Sequence, residues 1–276
     1  EFNPEIILTT LSTLLNKKVN IIKKENVEKR LPFFCAGCPH MATFYSIKKV
    51  LGDKKIFGGD IGCYMLGSYP PFNMQDFVVN MGAGIGISHG ISKSTGEKPV
   101  IFIGDSTFFH AGIPALINLV YNKSDVLLVI LDNSLTSMTG QQPNPGTGYT
   151  GMDEQSKKIN IEDIAKACQV DFVKTSKSYN INQLMKDVNE AYETKGVSVL
   201  ISKGECRLHT IRKISKQGNK IPKFEIVKQD EKLDDLKNLG CPAIMKVDNK
   251  WIIDEDLCWG CTICQQLYPE NIKVKK

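Results

Sequence analysis

No apolar run in this 276-residue sequence approaches the ~20 residues needed to cross a bilayer; the longest, VLLVIL at Val126–Leu131, has the length of a β-strand. A membrane partner is therefore not expected. The N-terminus lacks a charged segment followed by an apolar one, so nothing marks secretion and a cytoplasmic location is the default. The net charge of +5 is spread as lysine pairs among acids, with no long basic block and no interleaved aromatics. That pattern excludes nucleic acid as an expected partner. Internal repeats are also missing. The chain begins at Glu1 rather than Met, which reads as a processed product or part of something longer.

Cysteine, by contrast, is plentiful. Nine in a chain without a secretion signal point away from disulfides, and the odd count argues against a closed disulfide framework. Metal ligation is the natural alternative. With 42% hydrophobic and 24% charged residues, the chain can bury a real core.

Between Phe33 and Gly204, short apolar runs alternate with helical periods. KKIFGGD, DFVVNMG, PVIFIGD, DVLLVILDN, DFVKTS and SVLISKG read as strands; GIGISHGISKST, AGIPALINLVYN, IEDIAKACQ and INQLMKDVNEAYET read as helices. Such alternation builds an α/β fold, a doubly wound parallel sheet with helices on both faces. The expected organisation is an N-terminal helix and Lys/Glu-rich linker over 1–30 and the α/β domain over 31–208. A polar tether follows over 209–238, then a small cysteine-bearing module over 239–276.

The run PVIFIGDST is a buried strand ending in Gly104-Asp105-Ser106 just before a helix, and the next strand ends in Asp132-Asn133. Adjacent parallel strands would bring Asp105 and Asn133 to one edge of the sheet, although Asn133 lies 28 positions further on. Mg²⁺ needs few protein oxygens and takes the rest from phosphate and water, so a carboxylate, an amide and a backbone carbonyl suffice. A plain strand-turn-helix with a capping Asp is the simpler reading of the same residues. NMGAGIGISHG (Asn80–Gly90) opens a helix with Gly82, Gly84 and Gly86, and lacks the last glycine of a dinucleotide fingerprint.

The GDS…DN pair resembles the thiamine diphosphate motif, normally GDG, about thirty residues, then NN; Ser106 and Asp132 depart from it. The resemblance implies that Asp105, the Asn133 side chain and the Leu135 carbonyl hold Mg²⁺. Gly82, Gly84, Gly104, Ser106, Thr107, Thr136 and Thr139 would then lie around the thiamine diphosphate. FFCAGCPHM carries Cys35 and Cys38, DIGCYMLG carries Cys63 and SKGECRL carries Cys206. By ligand type these suit iron–sulfur or zinc equally. Their order around the thiamine motif resembles the 2-oxoacid:ferredoxin oxidoreductases, whose thiamine-binding part holds a [4Fe-4S] cluster through such cysteines. Within that family, FCAGCPHM, GDIGCYML, GDSTFFHA and LDNSLTSMTGQQ are most similar to the large subunit of indolepyruvate-type enzymes, in its C-terminal half.

The activity so implied is oxidative decarboxylation of a 2-oxoacid, aryl pyruvates foremost, to acyl-CoA and CO₂, with electrons passed through [4Fe-4S] clusters to ferredoxin. Implied partners are a pyrimidine-binding domain or chain, a small gamma-type subunit, ferredoxin, the 2-oxoacid and coenzyme A. His40 and His110 fall in matched segments and would act on diphosphate or substrate; a neutral histidine held inside the fold is the alternative for each. Cys168, on an apolar helical face, reads as core. Two rivals stand beside this reading, a non-oxidative thiamine-dependent decarboxylase and an electron-transfer or metal-binding module on an α/β scaffold.

One absence is sharper than the others. CWGCTICQQLYPE opens like a bacterial ferredoxin run but has Tyr268-Pro269 where the fourth cysteine and proline belong. In two-cluster ferredoxins that fourth cysteine serves the other cluster. The three cysteines of an earlier run are also missing, while Cys241-Pro242 remains, seventeen residues before Cys258. The expectation is one tail cluster on Cys241, Cys258, Cys261 and Cys264, in a ferredoxin-like module, with zinc as the alternative.

Overall fold

A computed structural model describes residues 3–19 and 30–275, so most of the expected Lys/Glu-rich linker lies outside the described residues. The chain divides into a unit over Glu1–Leu31 and a larger one over Pro32–Lys276. The first contains α1 (Pro4–Leu14), started by proline in its first turn and by Asn3, whose side chain accepts the Ile6 amide at 2.9 Å.

In the second unit, β1 (Phe57–Gly58), β2 (Val100–Gly104), β3 (Val126–Asp132), β4 (Phe172–Lys177) and β5 (Val197–Lys203) form one sheet, all parallel, in the order β1-β2-β3-β5-β4. The Val-, Ile- and Leu-rich runs become strands buried on both faces, as parallel sheets require. Alternate residues sort into two cores. Val100, Phe102, Leu127, Val129, Leu131 and Leu200 face α2 (Pro39–Leu51) and α7 (Ile181–Glu193). Ile101, Ile103, Leu128, Ile130, Val199 and Ile201 face α3 (Ala83–Thr95), α5 (Ile113–Tyr121) and α6 (Ile161–Ala167). The short α4 (Asp105–Thr107) leads through a π turn at Phe108–Gly112 into α5.

Three differences from the sequence reading have physical reasons. DFVVNMG makes only a single bridge, Phe77 to Gly58; its Val79 is exposed, so the run has no second face to bury. Conversely, α2 was not among the expected helices, yet its Met41, Ala42, Phe44 and Ile47 are fully buried beneath the sheet. The stretch 209–238, expected as a tether, carries the end of α8 (Arg207–Lys216), β6 (Phe224–Ile226), a 3₁₀ turn at Glu231–Asp235 and α9 (Leu236–Leu239). A few apolar side chains anchor it: Phe224, Leu233, Leu236 and Leu239 are all buried in the α2/α7 core.

The C-terminal residues form a hairpin, β7 (Ile244–Val247) and β8 (Lys250–Ile253), whose turn puts Asp248 and Asn249 at positive φ, the geometry Asp and Asn tolerate best after glycine. Then come α10 (Ile263–Leu267) and β9 (Ile272–Val274), which pairs antiparallel with β6. Among the described residues no helix is long and apolar enough to cross a membrane.

Asp235 ties this tail to α2. It accepts from the Tyr45 hydroxyl at 2.7 Å, Lys49 Nζ at 2.7 Å, Asn238 Nδ2 at 2.7 Å and the Tyr268 hydroxyl at 3.0 Å. Partial burial alone would raise this carboxyl, but the Lys49 ammonium and the surrounding donors outweigh it and hold the group down at about 2. The unfolded chain therefore takes up the proton first, and the stabilisation, full above the ordinary carboxylate range, is lost as pH falls from about 4 toward 2. Asp235→Ala should lower the stability of the larger unit by about 1–2 kcal/mol at neutral pH, given the partial exposure. Urea midpoints that fail to converge with wild type between pH 4 and pH 2 would contradict this account.

Candidate functional site

At the C-terminal edge of the sheet, β2 runs Gly104 beside Leu131 of β3, so Asp105 stands next to Asp132 and Asn133 follows one residue on. Asp105 is only 4% exposed. Its Oδ1 accepts the Ser106 amide at 2.8 Å, while Oδ2 has no hydrogen-bond partner among the described residues. Asp132 is engaged by the Ser134 amide at 2.9 Å and by Lys203 Nζ at 3.3 Å. Burial, aided by the Asp132 charge, pushes the Asp105 carboxyl up to about 7. A buried carboxylate with a bare oxygen beside a second carboxylate is a place where a cation is favoured.

Asn133 closes the other side. Its Oδ1 accepts the Leu135 amide at 3.1 Å and its Nδ2 lies 3.2 Å from His40 Nε2; Ser134, at φ +61°, turns the chain between them. His40 sits buried in the first turn of α2, edge-on to Tyr64 at 5.9 Å. Burial, against an opposing pull from Asp132, lowers its pKa to about 4, so the ring is neutral at physiological pH. These groups line a cavity of about 110 Å³ that also takes in Gly104, Ser106, Thr107, Thr136 and Thr139.

Three expected residues lie elsewhere. His110 is exposed on the π turn and does not line the cavity. Gly82 caps α3 at φ +85° and donates its amide to Asp60 Oδ1 at 2.8 Å. Gly84 is needed for close packing, since a Cβ there would come within 2.7 Å of the Gly59 carbonyl. Asp60, missed as a functional residue, is the anchor of this wall. Fully buried, it also accepts from the Tyr64 hydroxyl at 2.7 Å and so fixes the turn that carries Cys63. Its signal in the sequence was a Gly-Asp pair, Gly59-Asp60, echoing Gly104-Asp105, and Gly52-Asp53 carries the same pair without the role.

Cys35, Cys38, Cys63 and Cys206 line a second cavity, of about 100 Å³, which shares His40, Asn133 and Ser137 with the first. Cys241, Cys258, Cys261 and Cys264 line a third, together with Ala36 and Gly37. The two cysteine sets thus share a wall. Gly37, at φ +67°, lies so close to Cys261 that a Cβ on it would stand 2.7 Å from the Cys261 Cβ. Tyr179 donates its hydroxyl to the Gly37 carbonyl at 3.1 Å, and Arg207 Nε donates to the Trp259 carbonyl at 2.8 Å. Burial pushes the Cys63 thiol up to about 11 and Cys261 to about 12; Cys35, Cys38, Cys241 and Cys264 are raised for the same leading reason. Such thiols ionise only with a cation to stabilise them. Among the described residues no three His, Cys, Asp or Glu side chains converge closely enough to hold a single metal ion. Cys168 packs, half-buried, against the α3/α5/α6 core.

Residues 60–202 match the family described as thiamine pyrophosphate enzyme, C-terminal TPP binding domain. The chain belongs to this family. The matched region of this TPP binding domain runs from Asp60 to Ser202 and contains Asp105 and Asn133, while Cys35, Cys38, Cys206 and the tail lie outside it. Over most of its length the domain is homologous to the indolepyruvate oxidoreductase subunit IorA. It is 40% identical to that of Methanothermobacter marburgensis over 98% of this chain and 44% of the relative, and 43% identical to that of Thermococcus kodakarensis over 88% and 40%. The chain spans less than half the length of these curated relatives. Among solved structures, a 2-oxoglutarate:ferredoxin oxidoreductase from Magnetococcus marinus shares the fold, with a TM-score of 0.58 and 15% identity over 65% of this chain and 66% of that one.

The wall shared by the two cysteine sets, outside the matched region, is testable at Gly37. Gly37→Ala combines a left-handed backbone with a clash against Cys261 and should cost at least about 2 kcal/mol. An unchanged urea midpoint would mean that the two cysteine loops do not meet.

Proposed function

We propose that this chain is the diphosphate-binding half of an indolepyruvate-type 2-oxoacid:ferredoxin oxidoreductase. In this reading the enzyme converts an aryl 2-oxoacid and coenzyme A to acyl-CoA and CO₂, with electrons leaving to ferredoxin. The observation that carries the reading is the buried Asp105, with an Oδ2 that has no partner among the described residues, in the wall of a cavity that adjoins a ring of four cysteines. A carboxylate-and-amide pair alone fits many phosphate sites; its junction with a thiolate set fits a reaction whose electrons leave one at a time.

The donor set fits Mg²⁺, with Asp105 and Asn133 as side-chain ligands and the Leu135 carbonyl as the third. Ser106 and Thr107, at the start of α4, would line the diphosphate's side of the cavity, and Thr136 and Thr139 the outer wall. Bound thiamine diphosphate supplies the electron sink for decarboxylation, and iron–sulfur centres accept the electrons. The neutral His40 ring holds Asn133 through its Nε2 contact, so it orients a metal ligand without adding charge. His110, exposed and off the cavity, would act only through a partner surface.

Cys35, Cys38, Cys63 and Cys206 are assigned to a proximal [4Fe-4S] cluster, and Cys241, Cys258, Cys261 and Cys264 to a second in the tail. Zinc in a tetrahedral site needs four sulfurs about 2.3 Å from one centre. Four cysteines ringing a cavity of about 100 Å³, as the proximal set does, suit a polynuclear core better. Tyr268 supports the single-cluster tail: its hydroxyl is committed to Asp235, away from the cavity. The pyrimidine-binding domain, the small gamma-type subunit and ferredoxin are the partners this scheme requires.

Anaerobic purification with the native partners, followed by iron, sulfide and thiamine analysis, tests the scheme. Asp105→Ala should lose thiamine diphosphate by at least about tenfold while keeping its iron, because it removes the only carboxylate offered to the metal. Cys241→Ser should lose one cluster's share of the iron contributed by this chain. Partner-complete wild-type enzyme that retains no thiamine diphosphate would overturn the proposal.

A further inference from the structure

The loop between β3 and α6 begins with Asn133 and Leu135 and returns to the same edge at Asn144, eleven residues beyond Asn133. Asn144 is 6% exposed, and most of its polar atoms are spoken for. Its Oδ1 accepts the Gly146 amide at 2.9 Å, and its backbone carbonyl accepts the Thr147 amide at 2.9 Å and the Thr147 hydroxyl at 2.7 Å. The side-chain Nδ2 is left over: it is buried and has no partner among the described residues. Buried donors without partners are rare in folded proteins.

Asp105 stands at the same edge of the sheet, and Gly146, whose amide Asn144 holds, lines one cavity with it. The Asn144 amide approaches the Asp105 carboxyl closely enough to favour its charged form. It stops short of a hydrogen bond, since Asp105 Oδ2 is also without a partner. Asp105 and Gly146 both line a separate polar cavity of about 460 Å³, on the side of Asp105 away from α2. The loop is pressed against the helix that follows Asp105: a Cβ on Gly146 would stand 3.0 Å from the Phe109 ring. A carboxylate oxygen has two lone-pair directions, enough for one cation and one N–H donor.

We propose that Asn144 is a positioning residue for the metal-binding carboxylate, donating from Nδ2 to Asp105 Oδ2 when the cation is held. The closing of this gap would lock the 134–160 loop over the site. A cation drawn toward Oδ2 fixes the carboxylate and strengthens it as an acceptor for a charge-assisted hydrogen bond. One loop then grips the metal from two sides: Asn133 and Leu135 bind it, and Asn144 holds the ligand offered by the neighbouring strand. The inference rests on the proposed Mg²⁺–thiamine diphosphate site.

The test uses the partner-complete enzyme and two readouts besides turnover. The first is the Mg²⁺ concentration for half-maximal thiamine diphosphate binding, by calorimetry. The second is trypsin cleavage after Lys157 and Lys158, exposed in the same loop, with and without Mg²⁺ and thiamine diphosphate. Wild type should become protected on loading. Asn144→Ala should need at least about fivefold more Mg²⁺ and lose most of that protection; Asn144→Ser, smaller but polar, serves if the alanine variant does not fold. Thr147→Val, which loosens the loop without touching Asp105, should be cut faster in both states while keeping the wild-type Mg²⁺ requirement. Wild-type Mg²⁺ dependence and protection in a folded Asn144 variant would overturn the role of Asn144 and leave the cofactor site standing. Absence of Mg²⁺-dependent binding in wild type would overturn both.

Discussion

Two carboxylates end neighbouring parallel strands inside one buried edge, and the site is arranged around that conflict. Asp132 is relieved by Lys203 and the Ser134 amide. Asp105 has one oxygen on the Ser106 amide and the other bare. Burial of a charge is tolerated only when something compensates it, and among the described residues the second oxygen of Asp105 has no such partner. The register that creates the conflict is set far from it, by hydrophobic strands whose alternate residues must face two different cores. A one-residue slip of β2 against β3 would separate the carboxylates and turn each β2 side chain toward the wrong core.

The segment 35–40 is the second fixed point. Cys35 and Cys38 serve the second cavity, Gly37 forms a wall of the third, and His40 reaches the first. Six consecutive residues therefore touch all three. Their placement depends on α2, whose first residue is Pro39 and whose body lies buried under the sheet, so that the cysteine loop has a rigid base.

Much of the sheet was legible in the sequence because parallel strands buried on both faces read as continuous apolar runs; Val126–Asp132 and Val197–Lys203 are clear cases. The Asp105–Asn133 edge was legible for a related reason, since both residues follow such runs directly. Helix α2 escaped notice because its buried positions include the polar His40, Thr43 and Ser46, which break up the apolar stripe that would mark it. The 209–238 stretch misled in the opposite sense: its charged residues dominate composition, while three leucines at spacing three, Leu233, Leu236 and Leu239, do the packing. Asp60 and Asn144 act through tertiary neighbours, Gly82 in one case and Asp105 in the other, and no local pattern announces such partners.

Tyr268 links the tail to the body of the fold. In the sequence it marks an absent cysteine; in the fold it is a buried-side hydrogen-bond donor that shares Asp235 with Tyr45 of α2. The same position thus ties the tail to the body. That tie matters because the tail cavity and the proximal cavity meet through Gly37 and Cys261, a contact too close to survive a loosely tethered module. A tail free on a thirty-residue linker would visit that geometry for a small fraction of the time. Held by Asp235, by the β6–β9 pair and by Arg207 on the Trp259 carbonyl, it keeps the two cysteine-lined cavities side by side, the arrangement that the proposed electron path would need.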